Sequence, residues 1–320
     1  MKRLNRLLVV GIMLAMLVSL FAGKVWVPLG AWASDDPRWL IIAELRLPRT
    51  LLAAAVGAAL GMSGAAMQGY LRNPLADPGL FGVSAGAALG AVLSLFFGIS
   101  APFWLLPSFA LMGAGGAMAL LALLVGRSGS IIVFTLAGVI LSTIAGSLTA
   151  LAISLAPSPF VTTQIVTWLM GALTDRSWND VWLALPLLSA GMAVLAFTGP
   201  ALDALTLGED AARTMGVDPV RLQWLVVAGV GLCVGGSVAA AGVIGFVGLI
   251  VPHLVRPFAG HKPSAVLLPS ALAGALLVLL ADSAVRAAPT VSELRLGIAM
   301  SMLGAPFFLL LLFRMRRGLA

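Results

Sequence analysis

Leu71-Arg72-Asn73-Pro74-Leu75-Ala76-Asp77-Pro78-Gly79-Leu80-Phe81-Gly82-Val83-Ser84-Ala85-Gly86 is a turn punctuated by proline and glycine, set between two long apolar runs. Backbone of this kind is costly in lipid, where open N–H and C=O groups find no water. It persists only where it packs in protein, lines a wet pathway or sits at the membrane edge. The reading of this break therefore depends on what the runs around it are.

Of the 320 residues, 61% are hydrophobic and 10% charged, and the mean hydropathy is +1.09. A soluble chain of this length cannot hide that much apolar surface. Apolar runs fall at about 7–24, 50–70, 82–98, 103–125, 132–156, 182–199, 221–241, 243–258, 266–285 and 296–313. The fold class this predicts is an all-α polytopic membrane protein with about ten transmembrane helices, in one domain covering 1–320. The segment 160–171 is too short to cross and reads as re-entrant or interfacial, with Trp168 as an interface anchor. Ala31-Trp32-Ala33 looks like a signal-peptidase site. It lies well past the end of a first run that is long for a signal, so the expectation is an uncleaved first helix.

A net charge of +7 could suggest nucleic acid. The basic residues are scattered at run ends and form no dense patch, so they read as topology determinants. With the N-terminus inside, the inner segments hold twelve of the 19 basic residues and the outer segments seven, which favours both termini in the cytoplasm. One cysteine, Cys233, rules out an internal disulfide and reads as a small core residue. There is no Walker-type phosphate loop, so the chain does not bind ATP by that device. The inner stretch 203–219 holds a short, charged, helix-favouring piece between Gly208 and Gly216, with Pro219 barring simple continuation. By itself it reads either as a solvated connector or as a lever for a soluble partner.

Five motifs then occur in order: Arg46-Leu47-Pro48-Arg49; Asn73-Pro74-Leu75-Ala76-x-Pro78-Gly79; Gly208-Glu209-x-Ala211-x-x-x-x-Gly216; Gly245-Phe246-x-Gly248-Leu249-x-x-Pro252-His253; and Leu303-Gly304-Ala305-Pro306-Phe307-Phe308. Together they cover nearly the whole chain, which resembles the permease subunits of ATP-driven (ABC type II) importers for iron–siderophores, haem and cobalamin. The resemblance implies two copies of the permease (a homodimer), two cytoplasmic ATPase subunits beneath them and a periplasmic binding protein above. It implies no reaction chemistry and no cofactor or metal held by this chain, with ATP used by the partner. It places the protein in the bacterial inner membrane, with the lipid bilayer around it and no nucleic acid.

Residue by residue, it implies ATPase coupling by Gly208, Glu209, Ala211, Arg213 and Gly216. Docking of the binding protein falls to Arg46, Arg49 and Arg286, and the extra charge of Arg295 joins them on the outer rim. The inner-gate loop is 72–82, with Asn73 and Leu75, and a second, weakly matching gate lies at Arg127-Ser128-Gly129-Ser130. Asn73 can equally be a turn former before Pro74. Relatives commonly carry Glu-Leu-Pro-Ile-Gly at the tenth helix, where this chain has Glu293-Leu294-Arg295-Leu296-Gly297. The missing proline leaves the start of that helix open. The wording of 72–86 is closest to haem carriers, which makes haem the expected cargo and ferric siderophore or cobalamin the alternatives. His253 reads as a packing and hydrogen-bonding residue ahead of a metal ligand, and the 13 methionines as adaptable packing. Ser142, Thr143, Ser147 and Thr149 on the fifth helix either line the pathway or bond back to their own helix. The rival classes, a polytopic membrane enzyme and an ion-coupled transporter, want ionisable groups converging within the membrane. Asp77, Asp282 and His253 are the only candidates, and their predicted positions do not converge.

Overall fold

The computed structural model describes residues 1–32, 35–99, 102–126, 130–260, 262–289 and 293–317, and the backbone alone at 80, 312 and 314–317. Arg127, Ser128, Gly129, Ala33 and His261 lie outside the described residues. The elements are α1 (Lys2–Phe21), a π-helical turn Ile41–Arg46 running into α2 (Leu47–Tyr70), α3 (Val83–Phe96), α4 (Leu105–Val125), α5 (Ile131–Ser154), α6 (Pro159–Leu169), α7 (Trp178–Phe197), α8 (Gly199–Leu205), α9 (Glu209–Thr214), α10 (Pro219–Ala241), α11 (Val247–Val255), α12 (Pro263–Ala287) and α13 (Leu296–Arg317). No strand occurs among the described residues. Among the described residues, seven helices are long and apolar enough to cross a membrane. Three shorter apolar helices, Val83–Phe96, Val247–Phe258 and Leu296–Leu311, account for the remaining apolar runs. At 14 residues α3 reaches only about 21 Å, less than the hydrocarbon thickness of a bilayer.

The core is α2, with α12, α10, α7 and α11 packed around it. Nineteen of its 24 residues are buried. Its composition permits this, because small residues let helix backbones approach where no hydrophobic drive operates between lipid-solvated helices. A Cβ on Gly57 or Gly61 would collide with the α12 backbone at Gly274 and Ser270, and one on Gly64 with Gly248 of α11.

Several boundaries differ from the sequence reading. The seventh helix starts at Trp178, not 182, because Ser177 and Asp180 form a reciprocal capping box. The run 243–258 is helical only from Val247, because Gly242 and Phe246 both take left-handed backbone and break the chain there. The inner stretch holds α8 as well as α9, since Pro200 sits at the permissive start of a helix. Cys233 is fully buried, as expected of a core residue.

Candidate functional site

At the inner end, α9 is bounded by Gly208 at φ +104° and by Gly216 at φ +83°. Gly216 N–H bonds Arg213 O at 2.9 Å and Val217 N–H bonds Ala212 O at 3.0 Å, a Schellman stop that uses the glycine's left-handed freedom. Arg213 is exposed, Ala211 and Glu209 are half-buried, and the flanking Leu207 and Met215 are 67% and 61% exposed. Two large apolar side chains on a charged cytoplasmic helix suit a protein contact better than a solvated connector. The preceding α8 is fastened to α12. Asp203 accepts from Ser264 N–H at 2.8 Å and from its hydroxyl at 2.6 Å, and lies 3.3 Å from Lys262 Nζ. Lys262, at the N-cap of α12, gives no side-chain cap of its own, so a carboxylate from another helix satisfies that terminus.

The turn of 71–82 begins as a second Schellman stop. Arg72 N–H bonds Gly69 O and Asn73 N–H bonds Gln68 O. Here Arg72, not a glycine, takes the left-handed position at φ +52°, at a cost of roughly 1 kcal/mol. Its guanidinium lies 3.8 Å from Glu209 of α9. The α9 helix therefore touches the residue directly before Asn73. Asn73 is exposed, and its Oδ1 accepts from Leu75 N–H at 2.9 Å, so it does form the turn. Asp77 accepts from Gly79 N–H at 2.7 Å. Burial nonetheless pushes its carboxyl above the usual carboxylate range. Phe81 closes the loop against Phe134 of α5, which also meets Tyr70 edge-on. Ser130 caps the N-terminus of α5 toward Val133 N–H. Turn, α2 and α5 thus form one packed unit at the inner face, and beside it lies a cavity of about 280 Å³ lined by Gln68, Arg72, Thr206 and Arg256.

At the outer end the structure shows an internal role for three of the arginines. Arg46, Arg49 and Arg286, expected on an outward docking rim, are 6%, 8% and 4% exposed and are engaged internally. Arg49 Nε donates to both oxygens of Asp282 at 3.0 and 3.1 Å, and its Nη1 donates to Glu293 Oε2 at 2.9 Å. Arg286 Nε lies 3.2 Å from Asp282 Oδ2, and its Nη2 donates to the carbonyl and hydroxyl of Ser19. Arg46 donates to the carbonyls of Leu20, Phe21 and Val25. The physical reason is the C-terminus of α1. Its last carbonyls have no intrahelical donors and carry the negative end of the helix dipole, so two arginines cap it. Asp282, 1% exposed, balances the cluster. The sequence signal for this was present, an acidic residue four before Arg286, but spacing alone did not connect it to Arg49.

Arg295 remains accessible. The α13 helix starts at Leu296 without the proline of relatives, because Gly297 N–H is held by Gly171 O at 3.2 Å and Ala299 N–H by Arg295 O at 3.1 Å. Glu293 joins this strand of chain to the α6–α7 connection through Thr174, whose hydroxyl donates to it at 3.1 Å. His253 is half-buried and packs edge-on to Phe307 at 6.0 Å. Its Nδ1 is buried with no hydrogen-bond partner among the described residues, so packing is seen and hydrogen bonding is not. Thr143 bonds back to Val139 O in its own helix.

Comparison with known proteins agrees with this architecture. The model of the FecCD transport family matches residues 11–314. The vitamin B12 import system permease protein BtuC of Shigella boydii is 41% identical over 307 residues, 95% of this chain and 93% of that protein. An uncharacterized ABC transporter permease protein, YvrB of Bacillus subtilis, is 40% identical over 90% of this chain and 83% of its own length. A solved metal-chelate type ABC transporter in an inward-facing conformation superposes with a TM-score of 0.90 at 31% identity, covering 98% of this chain and all of that one. PsaBC from Streptococcus pneumoniae shares the fold, at a TM-score of 0.56 and 18% identity. The chain belongs to the FecCD transport family: it is a multi-pass inner-membrane permease subunit of an ABC importer, and it leaves ATP hydrolysis to a partner ATPase.

Proposed function

We propose that this permease works by alternating access in a binding-protein-dependent importer, paired with a second copy of itself, and that its cargo is a metal tetrapyrrole. The observation that supports the mechanism is the Arg72–Glu209 pair. It joins α9, with its exposed Leu207 and Met215, to the turn that carries Asn73 and Leu75. ATPase closure beneath the membrane moves α9 through Gly208, Glu209, Ala211, Arg213 and Gly216. The pair passes that motion to the turn, and the turn's packing on α5 moves the gate formed by Asn73, Leu75 and the start of α5 at Ser130. A bistable helical assembly converts such small displacements into a change of exposed face. Docking of the binding protein uses the outer loops that the buried arginines hold in place, with Arg295 at their edge.

Two cargoes fall within this reading. The likeness to BtuC, a vitamin B12 permease, favours cobalamin, and the wording of 72–86 favours haem. Reconstitution tests it. The chain, its ATPase and a loaded binding protein are placed in proteoliposomes with ATP enclosed. ATP-dependent accumulation of haem or cobalamin is the expected result. A folded complex that accumulates neither refutes the cargo class, and one that accumulates only a ferric siderophore redirects it.

A further inference from the structure

Beside α6, on the outer side, lies a cavity of about 330 Å³ lined by Phe160, Gln164, Trp168, Thr174, Arg176 and Arg295 among others. Its charge is one-sided. Two guanidiniums, an indole, an amide and hydroxyls line it, and no carboxylate of a described residue does. Arg176 is partly neutralised by Asp180 at 3.5 Å, and Glu293, the nearest acid on the α13 side in sequence, is committed to Arg49 and Thr174. The side chain of Arg295 makes no ion pair or hydrogen bond with a described residue. Two further donors of lining residues, Trp168 Nε1 and Arg176 Nε, are buried without a hydrogen-bond partner among the described residues. Buried donors left unmade are costly, and native proteins satisfy nearly all of them, so such a group calls for an explanation. Here the residues that carry them share a cavity with an unpaired cation.

Resting on the importer reading above, we propose that this cavity grips carboxylates on the edge of the metal chelate, and that Arg295, aided by Arg176 and Trp168, selects carboxylate-bearing tetrapyrroles over amide-bearing ones. The volume is near the lower end for ligand pockets, which suits an edge and its side groups rather than a whole macrocycle. Phe160 and Trp168 give that edge an apolar and aromatic wall. A carboxylate brings acceptors to the two guanidiniums, and its charge shortens and strengthens each bond. A peripheral amide is neutral and forms no charge-assisted bond with the guanidiniums, and this difference discriminates against it.

The test compares initial ATP-driven uptake of iron protoporphyrin and of its dimethyl ester in the reconstituted complex, for wild type, Arg295→Gln and Arg295→Lys. The wild type is expected to prefer the diacid by about tenfold, in keeping with charge-assisted bonds. Arg295→Gln is expected to erase that preference by slowing diacid uptake, and Arg295→Lys to restore most of it. Taking the ratio of the two cargoes within each variant, relative to wild type, removes any preference of the binding protein. Parallel loss of both cargoes in Arg295→Gln, or an unchanged preference, overturns the assignment. A wild type that imports cobalamin but not iron protoporphyrin overturns it too, while leaving the importer reading standing. A wild type that imports no tetrapyrrole refutes the cargo reading before any variant is made.

Discussion

The two ends of this permease use charge in opposite ways. At the outer end Arg49 and Arg286 are buried and each lies within 3.2 Å of the buried Asp282, and Arg46 and Arg286 cap the end of α1. At the inner end Arg72 and Glu209 meet at 3.8 Å with side chains 42% and 34% exposed, and Arg72 sits on strained backbone. The outer cluster resists separation, because any parting strands charge in a dry place. The inner pair costs little to part and re-form. The outer end is thus built as a fixed frame and the inner end as a movable linkage, as expected where a soluble motor drives one face only.

Removing Asp282 breaks this contrast most severely. Asp282→Ala leaves Arg49 and Arg286 buried with their shared carboxylate gone, and loss of one partner of a buried pair costs roughly 3–5 kcal/mol. The purified variant is expected to unfold far below wild type in a thermal scan, or to accumulate poorly in the membrane. A midpoint unchanged from wild type would show that the cluster is wetter than its burial indicates, and that the outer frame is not held by charge.

Arg72→Gly sharpens the contrast from the inner end, because it separates stability from coupling. Glycine takes φ +52° without the strain that arginine bears, worth up to about 1 kcal/mol in favour of the variant. Loss of the exposed pair takes back less than that. The thermal midpoint is expected to hold or rise slightly, while transport-coupled ATP hydrolysis falls several-fold. If both hold at wild-type levels, Glu209 reaches the gate by another route.

This contrast also marks what could be read without coordinates. Ten apolar runs, the short α6 and the glycine-bounded α9 were legible, because composition and Gly–Pro punctuation are local signals. Starting Trp178–Phe197 four residues late was avoidable, since Ser177 and Asp180 have capping-box spacing. The break at Gly242–Phe246 was not, because a phenylalanine gives no warning of left-handed backbone. The turn of 71–82 and α9 were both singled out, but the contact of Arg72 with Glu209 spans residues far apart in sequence. At the outer end the arginines were singled out, but their burial and internal partners were not foreseen. An arginine near a helix end reads as surface until the helix it caps, here α1, is brought beside it. Arg295 was noticed only as a departure from relatives, and its meaning depended on which groups share its cavity.

The smallest effect expected is a difference in pH response between the two ends. Burial pushes the Glu293 carboxyl up, but the charge and hydrogen bond of Arg49, with the Thr174 hydroxyl, outweigh it and hold the group below its ordinary 4.5. The folded protein therefore binds that proton less readily than the unfolded chain. The stabilisation is complete above pH 4.5 and is lost as pH falls through the folded value. Asp77 behaves oppositely. Burial raises it above its ordinary 3.8, so its ionisation costs stability as pH rises from there through the folded value. Thermal midpoints measured across this range for wild type, Glu293→Gln and Asp77→Asn isolate each group, since all other acids cancel in the differences. The wild-type advantage over Glu293→Gln should shrink as the solution is acidified. Asp77→Asn, which keeps the oxygen that accepts from Gly79, should gain on wild type as pH rises. Differences that stay constant with pH would mean that neither carboxyl is held away from its ordinary value. Slopes of the same sign would erase the distinction between an outer carboxylate stabilised by cations and an inner one merely enclosed by the turn it shapes.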